Sequence, residues 1–113
     1  MNQPITTLLF FLFFSIWIVP VQAQLGQIWG RVADQQEALA FATVILNTAT
    51  DSAMVKAAVT DQVGIYRFSN ISYDDYFVEV SFVGMTPFRS TIFTLQQDDF
   101  RLTEVILGSS ITM

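Results

Sequence analysis

The chain has 113 residues and a formal net charge of −5, from 10 acidic and 5 basic residues, and it contains neither cysteine nor histidine. An acidic chain without clustered Lys or Arg is not expected to bind nucleic acid or an anionic membrane surface. A sequence without Cys and His excludes a thiol nucleophile, a Ser-His relay and most zinc sites. We therefore expect no catalytic residues, no metal site and no cofactor.

The first segment of the chain is strongly apolar. It reads LLFFLFFSIWIVPV from Leu8 and carries no charged side chain. Val21 and Ala23 are small residues at the spacing that signal peptidase prefers. These features predict a secretory signal peptide over residues 1–23, with cleavage between Ala23 and Gln24. An uncleaved membrane anchor is the alternative, although the run is short for the roughly 20 residues that a bilayer span needs.

Residues 24–113 are predicted to form one all-β domain, because apolar residues recur with a period of two between short turn signals. The first predicted strand lies in QIWGRVAD, where Ile28 and Val32 share a face. The second, FATVILN, is almost wholly apolar and rich in β-branched residues, as expected of a central strand. The third, AMVKAAVT, has its apolar side at Val55 and Val59.

The stretch TDQVGIYRF, residues 60–68, combines a turn signal with the start of a fourth strand. Asp61 is expected to accept hydrogen bonds from the backbone N–H groups that follow it, and Gly64 supplies the positive φ of a tight turn. Tyr66 and Phe68 then point to one face of the returning strand, towards the core. A calcium loop is the alternative interpretation, but one carboxylate followed by Gln and Val does not supply its successive oxygen ligands.

The second half of the chain repeats the alternation. YDDYFVEVSFVG predicts a fifth strand with Tyr76 and Val80 on its apolar face, and Gly84 marks the next turn. FRSTIFTL and FRLTEVIL are predicted as the sixth and seventh strands. Acidic pairs occur at 74–75 and 98–99, both in predicted loops. We interpret them as solvated turn residues rather than as a catalytic pair.

Seven short strands without a helix-period segment predict a seven-stranded Greek-key β-sandwich, Ig-like in outline. The ordered motifs FATV, DS followed by VK, TD followed by GIYRF, and SFVG resemble those of the carboxypeptidase regulatory-like domain, a prealbumin-like sandwich, over residues 27–107. The resemblance is to the version that precedes TonB-dependent receptors and related β-barrel proteins in the outer membrane of Bacteroidetes-type bacteria. LTEVIL, residues 102–107, is similar to the segment that leads onward to the receptor plug.

This resemblance implies an exported, non-catalytic accessory module in the periplasm or at the outer membrane. Its partner would be a β-barrel or plug domain of the same or a separate chain, or another periplasmic protein, and the chain would be the front part of a larger receptor. The alternative is a free-standing carbohydrate- or protein-binding adhesion module. Trp29, Tyr73 and Phe77 would then form an exposed aromatic cluster on one face.

Overall fold

The computed structural model describes residues 24–109, so the predicted signal peptide and residues 110–113 lie outside the described residues. The regular structure of this part consists of short β-strands. They are β1 (Leu25–Ala33), β2 (Thr43–Thr48), β3 (Met54–Val59), β4 (Ile65–Ser72), β5 (Asp75–Ser81), β6 (Phe88–Arg89), β7 (Phe93–Thr94), β8 (Asp99–Arg101) and β9 (Val105–Ile106).

The strands form two sheets that enclose one core. The first sheet has the order β4-β1-β8, and β9 also pairs with β1. The second has the order β3-β2-β5-β6, and β7 also pairs with β5. β4 runs antiparallel to β1, whereas β8 and β9 run parallel to it. Within residues 24–109, two layers of sheet without a helix confirm the predicted all-β sandwich.

The core follows from the alternation of side chains along the central strands. Ile28 and Val32 of β1 face Val44 and Leu46 of β2 across the gap between the sheets, and all four are fully buried. Val80 of β5 is buried in the same cluster. Removing these branched side chains from water stabilises the fold by roughly 1.5–3 kcal/mol for each residue.

The predicted sixth strand divides in two, because β6 and β7 pair with different parts of β5. Ser90 lies between them. Its N–H donates to the carbonyl oxygen of Val78, and its Oγ accepts from the Val78 N–H, at 2.9 Å in both cases. The Ser90 side chain thus takes the place that a backbone carbonyl would occupy in a continuous strand, and the ladder is interrupted there.

The predicted seventh strand also divides, into β8 and β9. Trp29 is opposite Arg101 and Val32 is opposite Val105, so β1 advances by one residue fewer than its partner between these pairs. The extra residue interrupts the ladder in the manner of a β-bulge. The described part of the chain therefore has nine short strands where the sequence predicted seven, because the sixth and seventh predicted strands each break where their pairing changes.

The second and third strands differ from the prediction in detail. Phe41 precedes β2 instead of belonging to it, has φ of 64° and is 72% exposed. In β3, the side chain of Ala58 faces the core, and Ala58 is opposite the buried Val44. Val55 and Val59 are exposed, so the apolar side predicted for this strand lies on the outside of the sandwich.

Candidate functional site

Asp61 and Gly64 build the turn between β3 and β4. The Oδ1 atom of Asp61 accepts hydrogen bonds from the backbone N–H groups of Val63 (2.9 Å) and Ile65 (3.0 Å). Gly64 has φ of +83°, and a Cβ atom there would lie 2.4 Å from the carbonyl oxygen of Val32. The carboxylate therefore holds the turn together, and both conformation and space favour glycine at position 64.

Gly84 forms the turn after β5. Its φ is +77°, and the N–H of Met85 donates to the carbonyl oxygen of Phe82 at 3.0 Å. A Cβ atom at Gly84 would have no neighbour within 4 Å. Here the backbone conformation alone favours glycine.

Tyr66 and Phe68 lie in the core, with ring centroids 5.9 Å apart. Gly30 is opposite Tyr66 in the ladder between β1 and β4, and a Cβ atom at Gly30 would lie 2.5 Å from the Tyr66 hydroxyl. Glycine therefore gives the phenol room to extend across β1. The hydroxyl is buried and has no hydrogen-bond partner among residues 24–109. Burial raises the pKa of Tyr66 to about 12.

A groove of about 540 Å³ opens beside the Tyr66 ring. We call it the inter-sheet groove, because it runs between the β6–β7 edge of the second sheet and the β8–β9 edge of the first. Phe93 and Phe100 stack across the two edges, with ring centroids 5.3 Å apart and an interplanar angle of 13°. The apolar lining comprises Tyr66, Val78, Phe88, Phe93, Phe100, Leu102 and Val105, and the polar rim includes Arg89, Ser90, Thr91, Arg101, Thr103 and Glu104.

Trp29 lies on the outer face of the first sheet, away from the core. Arg67 of β4 and Arg101 of β8 are its direct cross-strand neighbours, and their guanidinium carbons lie 5.8 Å and 5.1 Å from the indole centroid. The indole Nε1 donates to Oδ2 of Asp99 at 3.4 Å. Each cation–π contact of this kind at the protein surface contributes about 0.5–1 kcal/mol. The indole thus ties three strands together.

Phe77 points away from the core on the outer side of the second sheet, but it is buried (3% exposed) and not exposed as expected, and the guanidinium carbon of Arg89 lies 4.1 Å from its ring centroid. Tyr73 lies between β4 and β5, and its hydroxyl donates to Oδ1 of Asp98 at 2.8 Å. Trp29 and Phe77 therefore occupy opposite faces of the sandwich. The aromatic cluster expected of an adhesion module, with all three rings on one face, does not form.

Loop carboxylates cap turns. Oδ1 of Asp34 accepts from the backbone N–H groups of Gln36 and Glu37, both at 2.8 Å, and the bond from Glu37 holds the pKa of Asp34 below its usual value. A hydrogen bond from the Thr48 hydroxyl likewise lowers the pKa of Asp51. In the described part of the chain, no three side chains of the His, Cys, Asp or Glu type come together as metal ligands.

The two acidic pairs make similar structural contacts. The Asp75 carboxylate accepts from the Thr94 hydroxyl at 2.5 Å, which joins β5 to β7. Oδ1 of Asp99 accepts from Nε2 of Gln27 at 3.1 Å, which joins β8 to β1. Asp75 and Asp99 are thus the first residues of β5 and β8 and not loop residues as predicted, and their carboxylates connect neighbouring strands. Asp74 accepts from the backbone N–H of Asp75, and Asp98 accepts from the Tyr73 hydroxyl.

The predicted cleavage site lies at the boundary of the described residues. Ala23 is outside them, whereas Gln24 directly precedes β1, and its carbonyl oxygen accepts from the N–H of Tyr73 at 3.3 Å. Between residues 24 and 109, the structure has no helix that is long and apolar enough to cross a membrane.

Comparison with known families identifies the domain. The model of the carboxypeptidase regulatory-like domain matches residues 27–107, most of the chain. The chain belongs to this family. No curated protein matches the sequence closely.

Solved structures resemble this carboxypeptidase regulatory-like domain in fold. The TIE protein of Bacillus anthracis has a TM-score of 0.63 at 15% identity, over 75% of this chain and 17% of that one. BcpA, the major pilin subunit of Bacillus cereus, has a TM-score of 0.59 at 16% identity, over 77% of this chain and 31% of that one. A candidate carbohydrate-binding protein of Pseudomonas aeruginosa has a TM-score of 0.53 at 14% identity, over 79% of this chain and 91% of that one. The chain thus spans less than a third of the first two proteins, and at these identities the likeness is one of fold.

The inter-sheet groove is the feature that the sequence alone did not predict. Tyr66 was expected to lie in the core, but its unpaired hydroxyl and its contact with Gly30 depend on which strands are neighbours. A glycine at an inward-facing position of the first strand is the one local signal of such a close approach. It does not say which side chain fills the space.

Proposed function

We propose that this chain is a non-catalytic accessory module on the periplasmic side of a TonB-dependent outer-membrane receptor. Membership of the carboxypeptidase regulatory-like family supports the role of an accessory module. The resemblance of the FATV and GIYRF motifs to the receptor-associated version supports a location beside an outer-membrane receptor. The partner is the β-barrel or plug domain, carried by the same chain or by another.

The path of the chain through the sandwich is the observation that carries this proposal. Gln24 leads into the first residue of β1, at one end of the first sheet. β9 runs parallel to β1 and pairs with its last two residues, Val32 and Ala33, so the chain continues to Ser109 at the opposite end. A strand of 9 residues separates the two ends by roughly 30 Å. A module in which the polypeptide chain enters at one end and leaves at the opposite end suits the role of a spacer beside a plug.

The polar side chains agree with a structural role. The carboxylates of Asp34, Asp51 and Asp61 accept hydrogen bonds that close turns, and that of Glu104 pairs with Arg31 at 2.5 Å. Groups held in this way contribute to the shape of the loops and are already hydrogen-bonded.

Site-directed crosslinking tests the proposal, because the chain has no cysteine of its own. Gly108→Cys places a photoactivatable label at the exit end, where the glycine has open space around it. Ser72→Cys places the same label at the entry end, on a residue that is exposed and opposite Leu25. The substitution is introduced into the gene in its natural host. We expect the label at Gly108→Cys to crosslink to a plug or β-barrel segment in the outer-membrane fraction.

The entry-end label serves as the matched control and should give much less of this product. If the folded protein separates from the outer membrane and neither label reaches a barrel or plug segment, the receptor role is wrong. A free-standing protein-binding module is then the better account, and the inter-sheet groove is the observation that favours it.

A further inference from the structure

A second groove lies at the end of the sandwich where the chain leaves it. Its volume is about 470 Å³, and we call it the exit-end groove. Val83 beside it is 93% exposed and Phe41 is 72% exposed. Exposed apolar side chains gathered around one groove are typical of a docking surface. The lining comprises Phe41, Thr43, Ser81, Phe82, Val83, Met85 and Pro87, none of which carries a charge.

The backbone imposes the exposure of Phe41. Its φ of 64° is a left-handed conformation that a bulky residue rarely adopts. The buried Thr60 holds it there, because its carbonyl oxygen accepts from the N–H of Phe41 at 3.0 Å. The Thr60 Oγ1 atom also accepts from the N–H of Ala42 at 2.8 Å and donates to the carbonyl oxygen of Leu39 at 2.6 Å. A strained residue that presents an aromatic ring to solvent indicates a function for the ring.

The chain leaves the sandwich directly beside this groove. Met85, which lines it, forms a β-bridge with Ser109. The N–H of Thr86 donates to the carbonyl oxygen of Gly108 at 2.8 Å. A domain to which the chain leads from Ser109 is therefore tethered next to the groove. Such a short tether raises the effective concentration of the domain to about the millimolar range.

The size and the chemistry of the groove favour a tethered occupant. Interfaces between free proteins usually bury about 1,200–2,000 Å² in total, whereas this groove has room for only a few side chains. A tethered partner can dock with much less contact. The uncharged lining fits apolar side chains, because a charged one would lose its hydration there without gaining a partner.

We propose that the exit-end groove docks the plug domain of the receptor through an uncharged, apolar loop of the plug. Phe41 and Val83 are the anchors of this contact. Docking fixes the orientation of the sandwich relative to the plug, so that the module does not swing on its connection. The inference rests on the proposed receptor role for the identity of the occupant.

Cysteine accessibility in the natural host tests this docking. Ser81 is exposed and lines the groove, so Ser81→Cys places a thiol there without a bulky label. We expect a maleimide reagent to modify it roughly tenfold more slowly in the outer-membrane fraction than in the purified chain. A contact with a Kd of about 0.1 mM gives this protection at an effective concentration of about 1 mM. Ser72→Cys at the entry end is the control and should react equally fast in both samples.

Substitutions of the two anchors assign the contact. Val83→Ser should restore fast modification of Ser81→Cys, whereas Val63→Ser, the same change at an exposed turn residue outside the groove, should not. Phe41→Asn should also restore it. The same variant should raise the urea midpoint of the purified chain, because asparagine tolerates positive φ better than phenylalanine does. A purely structural role of Phe41 predicts the opposite, a loss of stability.

The outcomes separate this inference from the receptor role. If Gly108→Cys crosslinks to the plug but Ser81→Cys reacts equally fast in both samples, the docking is wrong and the receptor role stands. Loss of both signals would overturn the receptor role as well. Protection of Ser81→Cys in the concentrated purified chain would assign the groove to a second copy instead. Equal effects of Val83→Ser and Val63→Ser would also contradict the proposal, and the accessibility comparison itself needs neither variant.

Discussion

Gly64 and Gly84 both have positive φ, but they differ in their surroundings. A Cβ atom at Gly64 would meet the carbonyl oxygen of Val32 at 2.4 Å, whereas one at Gly84 would meet no atom within 4 Å. A non-glycine residue in this backbone region costs about 1–2 kcal/mol from conformation alone. We expect Gly84→Ala to lower the free energy of unfolding by about that amount, and Gly64→Ala to lower it further, because the Val32 carbonyl must also move.

Urea denaturation of the two alanine variants measures this difference. Since both substitutions add the same atom at a similar φ, their difference isolates the contact with Val32. Equal losses of stability would mean that the turn can shift away from β1 without cost. The close approach at Gly64 would then be unimportant for stability.

At the scale of single elements, β3 shows that an apolar face need not be a buried face. Val59 is 58% exposed, whereas Val80 of β5 is fully buried. We expect Val59→Thr to change the free energy of unfolding by less than about 0.5 kcal/mol, since threonine suits a strand equally well. Val80→Thr should cost about 1–3 kcal/mol, because its hydroxyl would be buried without a partner.

Thermal or urea unfolding of both threonine variants tests this difference in stability. The substitution is identical, and the two positions differ in burial. A large loss with Val59→Thr would indicate that β3 is covered in solution, for example by a second chain. A negligible loss with Val80→Thr would contradict the assignment of β5 to the core.

The sequence predicts elements well where local pattern decides them. The alternation around Ile28 and Val32, and that around Tyr76 and Val80, places the correct side chains in the core, because a strand with one buried face must alternate. The break at Ser90 was not predictable in this way. It depends on a side chain that bonds to the neighbouring β5, and this contact is distant along the chain.

At the scale of the whole molecule, the alternating strands predict a sandwich, but they do not predict which of its two edges is open. Lys56 of β3 donates to the carbonyl oxygen of Ser69 on β4 at 2.6 Å, which links the two sheets along one edge. Along the other edge, Phe93 and Phe100 meet across the inter-sheet groove. Which edge is closed depends on the parallel pairing of β8 with β1, and no local pattern of residues encodes that pairing.

The boundary between the leader and the domain gives a prediction about the whole chain. β1 begins at Leu25, and the carbonyl of Gln24 bonds to the N–H of Tyr73. Cleavage after Ala23 would therefore leave the described backbone bonds of the domain intact. We expect the intact mass of the exported protein to correspond to a chain that starts at Gln24.

Substitution at the cleavage site provides the control for this measurement. Signal peptidase needs a small residue before the cut, so Ala23→Trp should retain residues 1–23, whereas Gln24→Ala should be processed like the natural chain. Both changes lie before β1, so neither should alter the unfolding of the domain. A natural product whose mass includes Met1 would show that the apolar segment stays attached. The uncleaved anchor would then hold the sandwich at a membrane through its entry end, opposite the end that the receptor proposal assigns to the plug.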